Sequence, residues 1–198
     1  MVERQLRRRG IEDERVLRAM AEVPREEFLP EDVRGDAYRD GALPIGEEQT
    51  VSQPWIVACM TSLAEPDGTG QVLEVGTGSG YGAAVLACCF AAVVTIERHE
   101  PLARHAAEVL ARLGFENVEV RCGDGNQGAP DRAPFDAILV TAVAEGAPPP
   151  PLRSQLRPGG VMVCPVRRFD GEYLMRFRDG EEERVVPVRF VPLVPGPP

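Results

Sequence analysis

The sequence predicts a doubly wound α/β fold on a mostly parallel, seven-stranded sheet, with an N-terminal helical extension ahead of it and a C-terminal antiparallel hairpin behind. Three observations carry this. Short apolar runs alternate with helical stretches from residue 71 onward, the runs are near-continuously apolar, as in strands buried on both faces, and a glycine-rich turn follows the first of them. At 198 residues the chain suits one domain with a sizeable core and is short for two. A single domain over 1–198 is expected, divided into N-terminal helices and a loop (1–66), a βα core (67–166) and a hairpin (167–198).

The elements follow in order. Asp13 precedes a stretch with Val16, Leu17 and Met20 on one helical face, and Pro24 ends that helix. Residues 30–50, rich in Asp, Gly and Pro, read as an ordered loop. A second helix over 52–64 opens at Ser52-Gln53-Pro54, with Ser52 in the setting of an N-cap and Trp55, Ile56, Cys59, Met60 and Leu63 as its apolar stripe. Strands are expected at 71–75, 92–97, 118–122, 135–141 and 161–166. The tail reads as two strands, 172–178 and 183–194, joined through Asp179-Gly180, and Pro195–Pro198 reads as a frayed end.

Composition excludes several classes. The net charge of −9 argues against a nucleic-acid or anionic-membrane partner, and Arg7-Arg8-Arg9 reads as a solvated helix end. All 22 basic residues are Arg, which removes Lys as a general base or Schiff-base former. His99 and His105 fall on the helix after Glu97 without clustered ligand spacing, so no metal is expected. Five cysteines without a C-x-x-C spacing read as reduced thiols in the cytoplasm. No run approaches the ~18 apolar residues of a membrane span, and the N-terminus lacks a signal-peptide core.

The most informative stretch is Val72-Leu73-Glu74-Val75-Gly76-Thr77-Gly78-Ser79-Gly80-Tyr81, a strand entering a glycine turn and then a helix. Glycines admit close backbone approach, and the helix start offers unpaired N–H groups. Two registers compete. From Gly78, the spacing Gly78-x-Gly80-x-x-Ala83 fits a dinucleotide fingerprint. From Glu74, acid-x-Gly-x-Gly-x-Gly resembles the first motif of S-adenosylmethionine methyltransferases. Glu74 suits a cationic ligand and would repel a pyrophosphate. Glu97 ends the second strand, where a carboxylate can accept both ribose hydroxyls of either cofactor. Asp124 in Gly123-Asp124-Gly125 follows the third strand, at the adenine-contacting position of methyltransferases. Leu156-Arg157-Pro158-Gly159-Gly160-Val161 resembles the turn before their fifth strand. Singly these are ordinary turn and loop residues; the ordered set favours the methyltransferase register.

The fourth strand ends Val140-Thr141-Ala142-Val143-Ala144, without the Asn/Asp-Pro-Pro-aromatic tetrad of amino-group methyltransferases, and catechol-type enzymes need a metal-binding acid cluster. An acceptor already ionised at neutral pH remains, such as a carboxylate of pKa ~3.9. Over nearly its whole length the chain resembles the protein-L-isoaspartate O-methyltransferases. The matching residues include Gln5-Leu6-x-x-Arg9-Gly10-Ile11, Val23-Pro24-Arg25-Glu26-x-Phe28, Ala37-Tyr38-x-Asp40-x-Ala42-Leu43-Pro44-Ile45-Gly46 and Gln49-Thr50-Val51-Ser52-Gln53-Pro54. The last of these is far more specific than the glycine loop.

The resemblance implies a Rossmann-like, class I methyltransferase fold, S-adenosyl-L-methionine as cofactor with S-adenosyl-L-homocysteine as product, and isoaspartyl residues of damaged proteins as substrates. It implies Ser52 as the active-site residue. Cofactor contacts are implied for Ile45, Gly46, Gln49, Thr50 and Gln53 in a lid, and for Glu74, Gly76, Thr77, Gly78, Glu97, Arg98, Asp124 and Gly125 in the core. A monomer is expected. The chain departs from the family at Glu47-Glu48, where a Gly-containing lid is usual, and at Arg167-Arg168, where a glycine is usual. The alternatives are a small-molecule carboxyl methyltransferase of the same fold and a non-catalytic cofactor-binding module.

Overall fold

In a computed structural model, which describes residues 1–196, helix α1 (Glu14–Glu22) opens where the Asp13 carboxylate accepts the Arg15 and Val16 amides at 2.9 and 3.2 Å. This satisfies two of the donors a helix start leaves free. Ahead of it lie a π-turn, Val2–Leu6, and a 3-10 turn, Arg7–Arg9. The arginine run is the expected solvated helix end: all three residues are exposed before the Gly10 cap, with Arg7 paired to Glu3 and Glu14 and Arg9 paired to Asp40 at 2.9 Å and lying over the Trp55 ring.

The expected loop at 30–50 is more structured than its composition suggested. It holds a 3-10 turn, Glu31–Asp36, and an antiparallel hairpin of β1 (Leu43–Gly46) and β2 (Gln49–Val51). Leu43 and Ile45 face inward while Pro44 and Gly46 face out. So short a strand, half of it Pro and Gly, carries almost no β-propensity signal. Helix α2 (Pro54–Leu63) starts two residues later than expected, with Gln53 at the N-cap and no side-chain cap bond. Ser52 is therefore not a cap.

The core strands stand where expected: β3 (Gln71–Val75), then α3 (Tyr81–Ala87), β4 (Ala92–Glu97), α4 (Glu100–Arg112), β5 (Val118–Cys122) and β6 (Phe135–Val140). A two-residue β7 (Ala144–Glu145) and a short α5 (Pro150–Arg153) lead into β8 (Leu156–Arg168). The strand is longer than expected because the Pro-Gly-Gly turn is a bulge within it: Phe135 pairs Leu156, yet Ala137 pairs Val161. Then come β9 (Gly171–Arg178) and β10 (Glu181–Pro187). The second hairpin strand ends at Pro187, not 194, and residues 188–194 leave the sheet. Of the expected frayed end, Pro197 and Pro198 lie outside the described residues.

The sheet order is β10-β9-β8-β6-β3-β4-β5, with β7 beside the end of β8. Neighbours from β8 to β5 run parallel, and β9 and β10 close one edge antiparallel. Alternate residues split into two cores. Val72, Val93, Leu139 and Val163 face the layer containing α1 to α4. Leu73, Val94, Ile138 and Met162 face a thinner layer with Phe135, Leu152 of α5 and Ala129. The strand order reverses at β3 and β6, with β4 and β5 on one side and β8 on the other, so the crevice lies at their C-terminal ends, the usual ligand position in such sheets.

Candidate active site

The cleft is built from those strand ends. β3 runs into Gly76 at φ 97, and a side chain there would collide with the Thr141 hydroxyl, which donates to the Gly76 carbonyl at 2.8 Å. Only glycine fits this close crossing of two strand exits. The loop ends at Gly80, after which α3 starts without a side-chain cap.

Glu97 holds the loop in place. Its Oε2 accepts the Gly78 amide at 2.8 Å and its Oε1 the His99 amide at 3.0 Å. A carboxylate has about four acceptor positions, so two remain for hydroxyl groups of a ligand. Glu74 differs. It is buried beneath the loop, where its Oε2 accepts the Thr95 hydroxyl at 2.6 Å, and Thr95 lies 2.6 Å from the Thr77 hydroxyl. Burial pushes its carboxyl up to about 8, the Thr95 bond opposes this, and the Glu97 charge adds to it. Burial therefore disfavours the ionised form of Glu74, which a nearby positive charge would favour.

The β1–β2 hairpin covers the loop as a lid. Ile45 Cδ1 comes within 3.2 Å of the position a Gly78 Cβ would take. Glu47 and Glu48 form the tip at φ 49 and 57, and the Glu47 carboxylate stands 3.8 Å from His99 Nδ1 on the opposite wall. Behind the lid, Val51 and Ser52 line the cleft. The Ser52 carbonyl accepts from Arg25 Nη2 at 2.9 Å, and its hydroxyl has no protein partner among the described residues.

The cleft encloses about 1020 Å³, counting its open mouth. Of the residues expected from sequence, Gln49, Thr50, Ser52, Glu74, Gly76, Thr77, Gly78, Glu97, Arg98 and Gly125 line it together. Ile45 and Gly46 sit in the lid above, outside the lining. Gln53 turns to Asp40, donating to Oδ1 at 2.7 Å. Asp124 stands just behind Gly125. Burial would raise its pKa, but bonds from Asn126 and the Gly196 amide win and hold it below the ordinary value.

Sequence reasoning missed one wall. Val191–Val194 line the cleft, held because the Val143 amide donates to Val191 O at 2.8 Å and the Leu193 amide to Val143 O at 2.9 Å. The Arg98 Nε bond to Gly196 O, at 3.3 Å, continues this strap toward β4. Pro187 and Pro192 were the available signal, since neither can donate to a sheet ladder. The donor set suits S-adenosylmethionine: free carboxylate positions on Glu97, a latent anion at Glu74, a glycine cradle a side chain would fill, and apolar walls.

A family model described as Protein-L-isoaspartate(D-aspartate) O-methyltransferase matches residues 1–197. A protein-L-isoaspartate O-methyltransferase of Roseiflexus sp. (strain RS-1) is 52% identical over 192 residues, 95% of this chain and 88% of that protein. A solved structure of a protein-L-isoaspartate O-methyltransferase is similar at TM-score 0.83 and 32% identity, over 97% of this chain and 65% of that one. A Plasmodium falciparum candidate beta-aspartate methyltransferase, in complex with S-adenosyl-L-homocysteine, matches at TM-score 0.80 and 24% identity over 95% of this chain and 94% of its own, a likeness of fold.

Proposed function

The chain belongs to the protein-L-isoaspartate(D-aspartate) O-methyltransferase family, and on that premise we propose how its cleft works. The activity is S-adenosylmethionine-dependent methylation of isoaspartyl carboxylates in proteins. When bound, the cofactor supplies a methyl group on a positively charged sulfur. What the protein adds is position and dryness. Glu97, itself braced by the Gly78 amide, would hold one end of the cofactor, with Thr77, Gly78, Arg98 and Gly125 beside it, and Glu74 beneath the loop would face its positive charge. The lid residues Ile45, Gly46, Gln49 and Thr50 close over it, and Val191–Val194 exclude water from the other side.

The observation that carries the acceptor side is the Ser52 hydroxyl. It belongs to a residue that lines the cleft, caps no helix and has no protein partner among the described residues, which leaves it able to donate to an acceptor carboxylate. No general base is required, because the acceptor is ionised at neutral pH. We further propose that no metal takes part, that the chain works as a single-domain monomer in the cytoplasm, and that nucleic acid and membrane are not partners. Five free cysteines agree with a reducing compartment, and no helix among the described residues is long and apolar enough to cross a membrane.

The test is labelled methyl transfer to an isoaspartyl peptide beside its aspartyl twin and beside free carboxylic acids. The expected product is a base-labile ester on the isoaspartyl peptide alone. Equal labelling of both peptides, or preference for a free acid, would refute the acceptor assignment.

A further inference from the structure

Arg25 has no exposed surface, yet it forms no ion pair among the described residues. Its Nε donates to the Ala37 carbonyl at 2.8 Å and its Nη2 to the Ser52 carbonyl at 2.9 Å, while Nη1 has no acceptor. The guanidinium carbon lies 4.7 Å from the centre of the Tyr81 ring, the first residue of the helix that follows the glycine loop. One buried cation therefore touches both halves of the site: the segment carrying Ser52 and the helix that anchors the cofactor loop.

A buried guanidinium without a carboxylate is costly, and an apolar side chain would fill the space with less desolvation. Carbonyl groups and an aromatic face compensate it only in part. The acceptor, however, brings a carboxylate to the residue Arg25 holds. Resting on the assignment of Ser52 to the acceptor, we propose that Arg25 is a positioning residue for methyl transfer: by gripping the Ser52 carbonyl against Tyr81 it fixes the Ser52–Gln53 peptide plane and so aims the Ser52 hydroxyl. The planarity of the peptide bond makes this grip effective, since holding the carbonyl oxygen orients the whole unit.

The distinguishing experiment is a double-mutant cycle of Arg25→Lys and Arg25→Gln with Ser52→Ala, read as melting temperature, S-adenosylhomocysteine affinity, and kcat and KM for an isoaspartyl peptide. Both Arg25 variants should fold and bind S-adenosylhomocysteine within about threefold of wild type. Loss of a charge-assisted bond should lower peptide kcat/KM about tenfold to a hundredfold, with Lys the milder change because it can still reach one carbonyl. In the Ser52→Ala background the same Arg25 changes should cost less than about threefold, because there is no hydroxyl left to aim. Equal losses in both backgrounds, fully active Arg25 variants, or failure of both to fold would reduce Arg25 to a structural residue and overturn the inference while leaving Ser52 in place. A fully active Ser52→Ala would remove the Ser52 assignment itself and this role with it.

Discussion

The Thr95 hydroxyl donates to Glu74 Oε2 at 2.6 Å beneath the glycine loop, and this is the only hydrogen bond the buried carboxyl receives among the described residues. One bond does not offset complete burial, which is why the carboxyl rises to about 8 from its ordinary 4.5. The folded protein binds this proton more tightly than the unfolded chain. The stability it contributes is fully present below the unfolded pKa and is lost as pH rises through the folded one, from about 4.5 to about 8. Glu74→Gln keeps the shape and cannot ionise. Its melting temperature should rise relative to wild type across that window, by an amount equivalent to a few kcal/mol at the alkaline end. A constant difference from pH 5 to 9 would show that Glu74 is already ionised in the free protein.

Ser52→Ala separates function from folding cleanly, because the α2 start carries no side-chain cap to lose. Its melting temperature should stay near wild type, whereas losing a true cap costs ~1 kcal/mol. Methyl transfer to the isoaspartyl peptide should fall at least tenfold. Ser52→Asp places a charge beside the acceptor, and at ~4 Å with an effective dielectric of ~20 the repulsion is about 4 kcal/mol, a loss of several hundredfold. Full activity in both variants would take Ser52 out of the reaction.

Glu97→Ala should weaken S-adenosylhomocysteine binding through two routes: the missing acceptor positions and the released Gly78 and His99 amides. Hydrogen bonds to a charged acceptor are worth ~1.5–3 kcal/mol each, so the thermal shift seen with wild type should all but vanish. NAD should give no shift with either protein. A shift with NAD alone would restore the dinucleotide register of the loop.

At the lid tip, Glu47 and Glu48 hold a left-handed backbone that glycine and asparagine adopt more readily. Replacing Glu48 by Gly should raise stability by ~1 kcal/mol, visible as a higher melting temperature. Replacing Glu47 by Asn relieves strain but also removes the carboxylate facing His99. That variant should show the higher KM for cofactor. A destabilised Glu48→Gly would mean that the tip is not strained.

Much of this site was legible in the order of residues because its signals are local. A strand, a glycine turn and a helix start occupy one stretch from Gln71 to Ala87, the exit carrying Glu97 is set by a near-continuous apolar strand, and that carrying Gly125 by the alternating run Val118–Cys122. The parallel sheet followed for the same reason. The short β1–β2 hairpin was not legible, since two of the four β1 residues are Pro and Gly and its tip has no turn signature.

Other features were settled only by contacts distant in sequence. Ser52-Gln53-Pro54 matches a helix cap, but Arg25 takes the Ser52 carbonyl, Asp40 takes the Gln53 side chain, and the helix begins at Pro54. The alternating stretch from 188 to 194 has the pattern of a sheet strand. It becomes a cleft wall because Val143, some fifty residues earlier, bonds its backbone on both sides. By itself the sequence determined the sheet, the glycine cradle and the carboxylates at the strand ends, since apolar periodicity and backbone sterics act between near neighbours. The tertiary structure alone decided which of these faces the cleft and what closes it, because a hydrogen bond between distant segments forms only when the fold has brought donor and acceptor together.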